Sequence, residues 1–184
     1  MRLILYLVLI LGFTPALAAP EVYSVHPDLS TVRFRVPVGP DFIRGTLPFS
    51  SAILVFDPAS PESLTLAVTL DASGAEAGFR EATLVMRGES FLNTAVYRQI
   101  FFISTKATKT AAGLGVDGDI TLRGVTQPAH FDVRIDARDA SLPTRLTIEA
   151  TGSIALSAFG ASRWFGLVGD EVTLDILAVA DKAR

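Results

Sequence analysis

The stretch Ala129-His130-Phe131-Asp132-Val133-Arg134-Ile135-Asp136-Ala137 alternates apolar and polar residues without a fault. A period of two puts one face of a strand on a core and the other in water, the signature of antiparallel sheet. Working outward, the same period recurs. Val32, Phe34 and Val36 alternate with Arg33 and Arg35, and Leu64, Leu66, Val68 and Leu70 with Thr65, Ala67, Thr69 and Asp71. Leu146, Ile148 and Ala150, then Val172, Leu174 and Ile176, continue it toward the C-terminus. Val, Ile, Thr and Phe are frequent in these runs, as a pleated half-buried surface favours. Turn signals separate them: Pro27-Asp28, Gly39-Pro40-Asp41, Asp57-Pro58, Ala112-Gly113, Arg123-Gly124, Leu142-Pro143 and Gly169-Asp170. The pattern predicts strands over 21–26, 30–37, 43–56, 63–71, 99–109, 114–122, 129–138, 144–156 and 171–180. The helical exception is 79–93, where Phe79-Arg80-Glu81-Ala82-Thr83-Leu84-Val85-Met86-Arg87 has few breakers and Gly88 supplies a stop.

About eight antiparallel strands in one chain must hide their edges, and closing the sheet into a barrel removes them. The expected fold class is all-β: an eight-stranded antiparallel barrel with a short helical insert at about 79–93. A two-sheet sandwich would show the same period. The long 43–56 and 144–156 runs favour the barrel, because long strands curve through two of its sides. An eight-stranded barrel either fills its interior with side chains or holds one small ligand.

Of the 184 residues, 49% are hydrophobic and 19% charged, and the mean hydropathy is +0.43. Part of that excess sits at the start. Met1-Arg2 is positive, Leu3 to Phe13 is apolar, and Ala16-Leu17-Ala18 is a small-x-small site, the order of a secretory signal peptide. The apolar run is too short for a bilayer core, which needs about 20 residues. Residues 1–18 are therefore expected to be a cleaved leader, and 19–184 a single exported domain in a periplasm. Without Arg2 the domain has 15 basic and 19 acidic residues, with no basic stripe for nucleic acid. It contains no Cys, which excludes disulfides, thiol catalysis and Cys-ligated metals.

Few groups offer chemistry. His26 precedes Pro27-Asp28 in a turn, and His130 lies on the polar face of its strand near Asp132. No Ser stands in a G-x-S-x-G elbow, and no His-x-His or His-x3-His pair occurs. Both His are read as solvated surface side chains, with no catalytic residue and no metal site. A hydrolase or isomerase at a barrel mouth would have only these two as bases. Gly113-Leu114-Gly115-Val116-Asp117-Gly118 matches G-x-G-x-x-G, but the strand-like Asp119-Ile120-Thr121-Leu122 follows where a phosphate site needs a helix N-terminus. It is read as a hairpin turn entering a strand.

The aromatic residues are more informative. Phe42, Phe79, Phe91, Phe159, Trp164 and Phe165 fall near expected loops or the helical insert, at barrel mouths or in core packing. An open interior would be lined by Phe34, Val36, Leu66, Val68, Phe131 and Val133. Such a surface suits an elongated apolar molecule and has little to hold a sugar or an amino acid.

The order of segments resembles the YceI-like family of exported lipid- and polyisoprenoid-binding proteins. The resemblance rests on Tyr23-Ser24-Val25-His26-Pro27-Asp28-Leu29-Ser30-Thr31-Val32-Arg33-Phe34, on Gly45-Thr46-Leu47, and on Val55-Phe56-Asp57-Pro58. It continues through Arg80-Glu81-Ala82-Thr83-Leu84, Ser90-Phe91-Leu92-Asn93, Tyr97 and Ile100-Phe101-Phe102-Ile103-Ser104-Thr105. Its most specific part is Gly118-Asp119-Ile120-Thr121-Leu122-Arg123-Gly124-Val125-Thr126-Gln127-Pro128, followed by Phe159-Gly160 and Gly169-Asp170-Glu171-Val172. The resemblance implies a lipocalin-like barrel and a carrier for an isoprenoid, quinone or fatty-acid derivative, with no cofactor beyond a bound lipid or isoprenoid. It implies a homodimer as a further expectation, and transient membrane contact is expected beside it. The expected lipid-contacting set is Phe34, Val36, Phe42, Leu66, Phe79, Leu84, Phe91, Phe101, Phe131, Phe159 and Trp164. An interaction module with a filled barrel, acting on a membrane or redox partner, is the alternative.

The chain departs from the family pattern in places. Leu29 stands where the family often has His, and Ile154-Ala155-Leu156-Ser157-Ala158 stands where it has Ile-Asn-Arg-Ser-Asp. An Arg at a pocket mouth would neutralise an anionic head group, so Leu156 shifts the expectation toward a neutral ligand. Arg33 and Arg35 would compensate only by facing the mouth. Val85-Met86 makes the helical segment greasier than the family's.

Overall fold

In the first wall, β1 (Glu21–Val25) and β2 (Thr31–Val38) follow one path, interrupted by a single 3-10 turn at Pro27–Leu29. The return path is split at Pro48, which has no N–H for a ladder, into β3 (Asp41–Leu47) and β4 (Phe49–Phe56). Next come β5 (Thr65–Asp71), the two-residue β6 (Glu76–Ala77) and α1 (Arg80–Arg87). The remaining strands are β7 (Gln99–Thr110), β8 (Gly113–Leu122), β9 (Val125–Asp136), β10 (Arg145–Ala155) and β11 (Glu171–Lys182). This computed structural model describes residues 20–136, 144–161 and 168–183. The expected leader, the Leu142-Pro143 turn, and Trp164 with Phe165 lie outside the described residues.

The strands β1, β4, β5, β7, β8, β9, β10 and β11 pair in that order, and β1 pairs back onto β11. The result is a closed, eight-stranded antiparallel barrel with one short helix, not a sandwich. The paired segments β2 and β3 prolong the first two walls. β11 pairs with β1 through Ala180–Lys182 and with β2 through Thr173–Leu177.

Three boundaries differ from those the alternation suggests. The helix covers only Arg80–Arg87, because the Gly88 N–H bonds to the Val85 carbonyl and the chain then turns, with Leu92 N–H on the Met86 carbonyl. Glu81 in its first turn and Arg87 in its last complement the helix dipole. β9 starts at Val125, four residues early, and includes Pro128. Pro128 is tolerated because β10 pairs with β9 only from Phe131 onward. A bulge between Phe49 and Ser51 breaks the 43–56 run. It moves the inward phase from Leu47 and Phe49 to Ala52, Leu54 and Phe56, and leaves Ser50 and Ser51 both exposed.

One end of the barrel is filled. Tyr23, Leu54, Leu146 and Ala180 are fully buried there, with Leu64 and Leu114 packed among them. Burial, reinforced by the charge of Glu21, pushes the Tyr23 phenol pKa up. Just outside, Asp181 of β11 accepts two bonds from Arg145 at 2.6 and 2.8 Å and lies 2.8 Å from His26 Nε2. These bonds, Arg145 first and His26 next, hold the Asp181 carboxyl far below the usual carboxylate range. The folded-state value lies below the unfolded one, which is about 3.9. The stabilisation is therefore complete above that value and is lost as pH falls through the depressed one. Asp181→Asn is expected to lower the melting midpoint at pH 7, and by less at each step below about pH 4. A difference of the same size at both ends of that range would refute this assignment.

Candidate functional site

The other end of the barrel is hollow. A cavity of about 440 Å³ runs along the lumen, within the range typical of small-molecule sites. Strand alternation builds its wall from inward residues of the strands, among them Phe34 and Val36 of β2, Leu66 and Val68 of β5, Phe131 and Val133 of β9, and Leu174 and Ile176 of β11. Among the described residues, Glu81 is the only polar one on this wall.

Three glycines explain why the lumen is open although large rings face it. Gly45 is opposite Phe34, Gly152 is opposite Phe131, and Gly118 lies beside Phe102. A Cβ on Gly152 would come within 2.6 Å of Phe131 Cδ1, and Cβ atoms on Gly45 and Gly118 would meet the Phe34 and Phe102 rings. Each ring therefore lies back over a bare stretch of backbone instead of standing into the lumen. Phe102 and Phe131 meet edge to face, with centroids 5.2 Å apart and planes at 82°.

The helix α1 borders the open end with two distinct faces. Ala82, Val85 and Met86, with Glu81, face the cavity. Arg80, Thr83, Leu84 and Arg87 face a shallow outer groove, and Phe79 touches both. Arg87 is anchored through its Nε–H to the Ala75 carbonyl at 2.7 Å. Across the opening, Arg123 donates to the Gly160 carbonyl at 2.7 Å and the Glu89 carbonyl at 3.0 Å. Arg123 and Gly124 both have positive φ, as a two-residue hairpin turn needs.

Of the residues singled out in the sequence, Phe34, Val36, Leu66, Phe91 and Phe131 lie on the cavity wall. Phe79 and Phe101 border it while exposed. Phe42 points outward, Leu84 lies on the far face of α1, and Phe159 is buried away from the wall. Trp164 lies outside the described residues. Arg33 and Arg35 share the outward phase of β2, so neither serves the lumen. Leu156 does line the cavity. Its backbone is fixed by the Leu156 N–H bond to the Asp170 carbonyl at 2.9 Å, and the neighbouring Ser157 N–H bonds Asp170 Oδ1 at 2.6 Å. Both His lie off the wall and are exposed or half-buried. His130 Nδ1 is 2.6 Å from Asp117, and His26 belongs to the Asp181 cluster at the filled end. Sequence reading missed the three glycines. Their signal is an inward-phase Gly in a strand, across from or diagonal to a Phe.

A family model described as the YceI-like domain matches residues 23–180. The chain belongs to the YceI-like family. Protein YceI of Escherichia coli O157:H7 is 31% identical over 164 residues, covering 88% of this chain and 86% of its own. Among solved structures, Burkholderia cenocepacia BcnA superposes with a TM-score of 0.75 at 21% identity, over 84% of this chain and 98% of that one. A polyisoprenoid binding domain from Saccharophagus degradans, implicated in plant cell wall breakdown, has a TM-score of 0.65 at 14% identity, over 89% and 99%. These likenesses confirm the YceI-like barrel.

Proposed function

We propose that this YceI-like chain is an exported periplasmic protein that binds and carries one elongated, neutral apolar molecule inside the barrel. A polyisoprenoid alcohol, a quinone or a fatty-acid derivative fits that description. The wall carries the reading: a lumen of about 440 Å³ with Glu81 as its one polar residue among those described. Burying each CH₂ there is worth about 0.8 kcal/mol, so a chain binds tightly with few polar contacts. Among the described residues the wall offers no cation to a phosphate, since Leu156 lies on it and Arg33 and Arg35 do not. The Saccharophagus relative, described as polyisoprenoid binding, supports an apolar chain as cargo. Binding is favoured over catalysis because both His lie away from the cavity. A filled barrel acting only through its surface does not match the hollow half.

Native mass spectrometry of the purified protein tests this reading. The expected spectrum contains a lipid adduct that organic extraction removes. The emptied protein then takes up a prenol or quinone in preference to the prenyl phosphate of equal length. The polypeptide mass in the same spectrum reports whether residues 1–18 have been removed. No adduct, together with no uptake of prenol or quinone, would sink the reading.

A further inference from the structure

We propose that the outer face of the β2–β3 hairpin is a docking site for an anionic phospholipid bilayer, placed beside the cavity opening. Arg35 and Arg44 are directly opposite one another in the β2–β3 ladder. Like charges so placed repel. No ion pair relieves either among the described residues. Both guanidinium groups instead stack over the single ring of Phe42, 5.9 and 6.0 Å from its centroid. That ring is itself 48% exposed. Two cations with no carboxylate ion-paired to them among the described residues, flanking an exposed aromatic ring, suit a lipid surface. The ring enters the headgroup–acyl boundary, and each guanidinium forks onto a phosphate.

The position is continuous with the opening. Val36 and Ile43 are paired in the same ladder and line the cavity from its inner face. Gly45 pairs with Ala77, which fastens the start of the helical insert to β3. This brings Phe79, 56% exposed, and Leu84, 62% exposed, to the same end of the barrel. Phe79 touches both the cavity and the outer groove, so an acyl or prenyl tail has an apolar path inward. The chain's net charge is −3, and Asp41, Glu76 and Glu81 lie on the neighbouring segments. The attraction is therefore local to the arginine couple and not a general field. The purpose of docking, loading the cavity from the bilayer, rests on the binding-protein reading; the contact itself does not.

Vesicle co-sedimentation of the full chain tests the contact, with phosphatidylcholine alone against phosphatidylcholine mixed with phosphatidylglycerol, at low salt. The expected result is binding to the anionic vesicles only, weakening as salt rises. Arg35→Gln/Arg44→Gln should weaken it about twenty-fold or more, at roughly fivefold per Arg. Arg35→Lys/Arg44→Lys keeps the charge but loses the forked bonds, so it should bind more weakly than the parent and more tightly than the glutamine pair. Absence of a preference for phosphatidylglycerol overturns the proposal. So does a glutamine pair that binds like the parent while keeping its circular dichroism spectrum. Release by millimolar glycerol phosphate identifies a free-phosphate site and overturns it too. Cavity occupancy, read by mass spectrometry on the same samples, separates the two readings: arginine-dependent vesicle binding with an empty cavity upholds docking and removes the cargo.

Discussion

Gly152→Val is expected to empty the barrel of ligand and to destabilise it by about 1–3 kcal/mol, the usual cost of overpacking a core. The cause is local. A Cβ at 152 meets Phe131 Cδ1 and the His130 carbonyl, each at 2.6 Å. The carbonyl contact forces the paired strands apart locally, and the ring contact drives the ring off the wall into the lumen. Phe102 cannot make room by retreating, because it already lies over Gly118. The ring then occupies space that the cargo uses. Chemical denaturation reports the stability loss, and extraction of bound lipid per mole of protein reports the occupancy. Phe131→Ala by itself should cost about 3–5 kcal/mol through the hole it leaves. Combined with Gly152→Val it should cost less than the sum, because the valine fills part of that hole. Unchanged stability and occupancy in Gly152→Val would show that the ring has freedom which the close contact denies.

Leu156→Arg is expected to reverse the head-group preference. The residue sits on the wall, and its backbone is held by Asp170, so a longer side chain enters from a fixed point. The arginine stem can lie along the apolar wall while its guanidinium reaches toward the opening. A charge-assisted bond is worth about 1.5–3 kcal/mol. The affinity for a prenyl phosphate should therefore rise about ten- to a hundred-fold, with that for the matching prenol little changed. Glu81→Gln should add to the gain by removing the one like charge that the described residues place on the wall. Competition between the two ligands, followed by native mass spectrometry, measures the ratio. A ratio equal to the parent's would mean that the head group does not reach residue 156.

Much of this was legible in the sequence, and the exceptions have physical reasons. The faultless alternation through His130, Asp132 and Arg134 identifies the strand, its buried face and two of the lining residues. Its extension back to Val125 was hidden by Pro128, because nothing local announces that β10 falls short of that position. The inward phase of Ala52 was also illegible. A bulge between Phe49 and Ser51 resets the alternation, and a strict period of two carries no sign of it. Closure of the sheet depends on Tyr23 meeting Lys182, a pairing too distant for any window to detect. Among the aromatic residues, Phe34 and Phe131 were placed by their strand phase, whereas Phe42 and Phe159 could be placed only by loops. The roles of Gly45, Gly118 and Gly152 depend on rings carried by other strands, so no window along the chain shows them.

The pairing of β11 with three partners at once has a kinetic consequence. Its register joins β10 along its whole length, β1 at one end and β2 at the other. Lys182 also meets Glu21 at 2.8 Å, and the Ala183 N–H bonds to the Val22 carbonyl. The most C-terminal strand is thus the keystone of the barrel. Until it is available, β1 has only one neighbour and the wall stays open. Contacts of such sequence separation make folding slow, in the millisecond-to-second class of non-local β topologies. A chain emerging N-terminus first remains an open sheet until its last strand locks it shut.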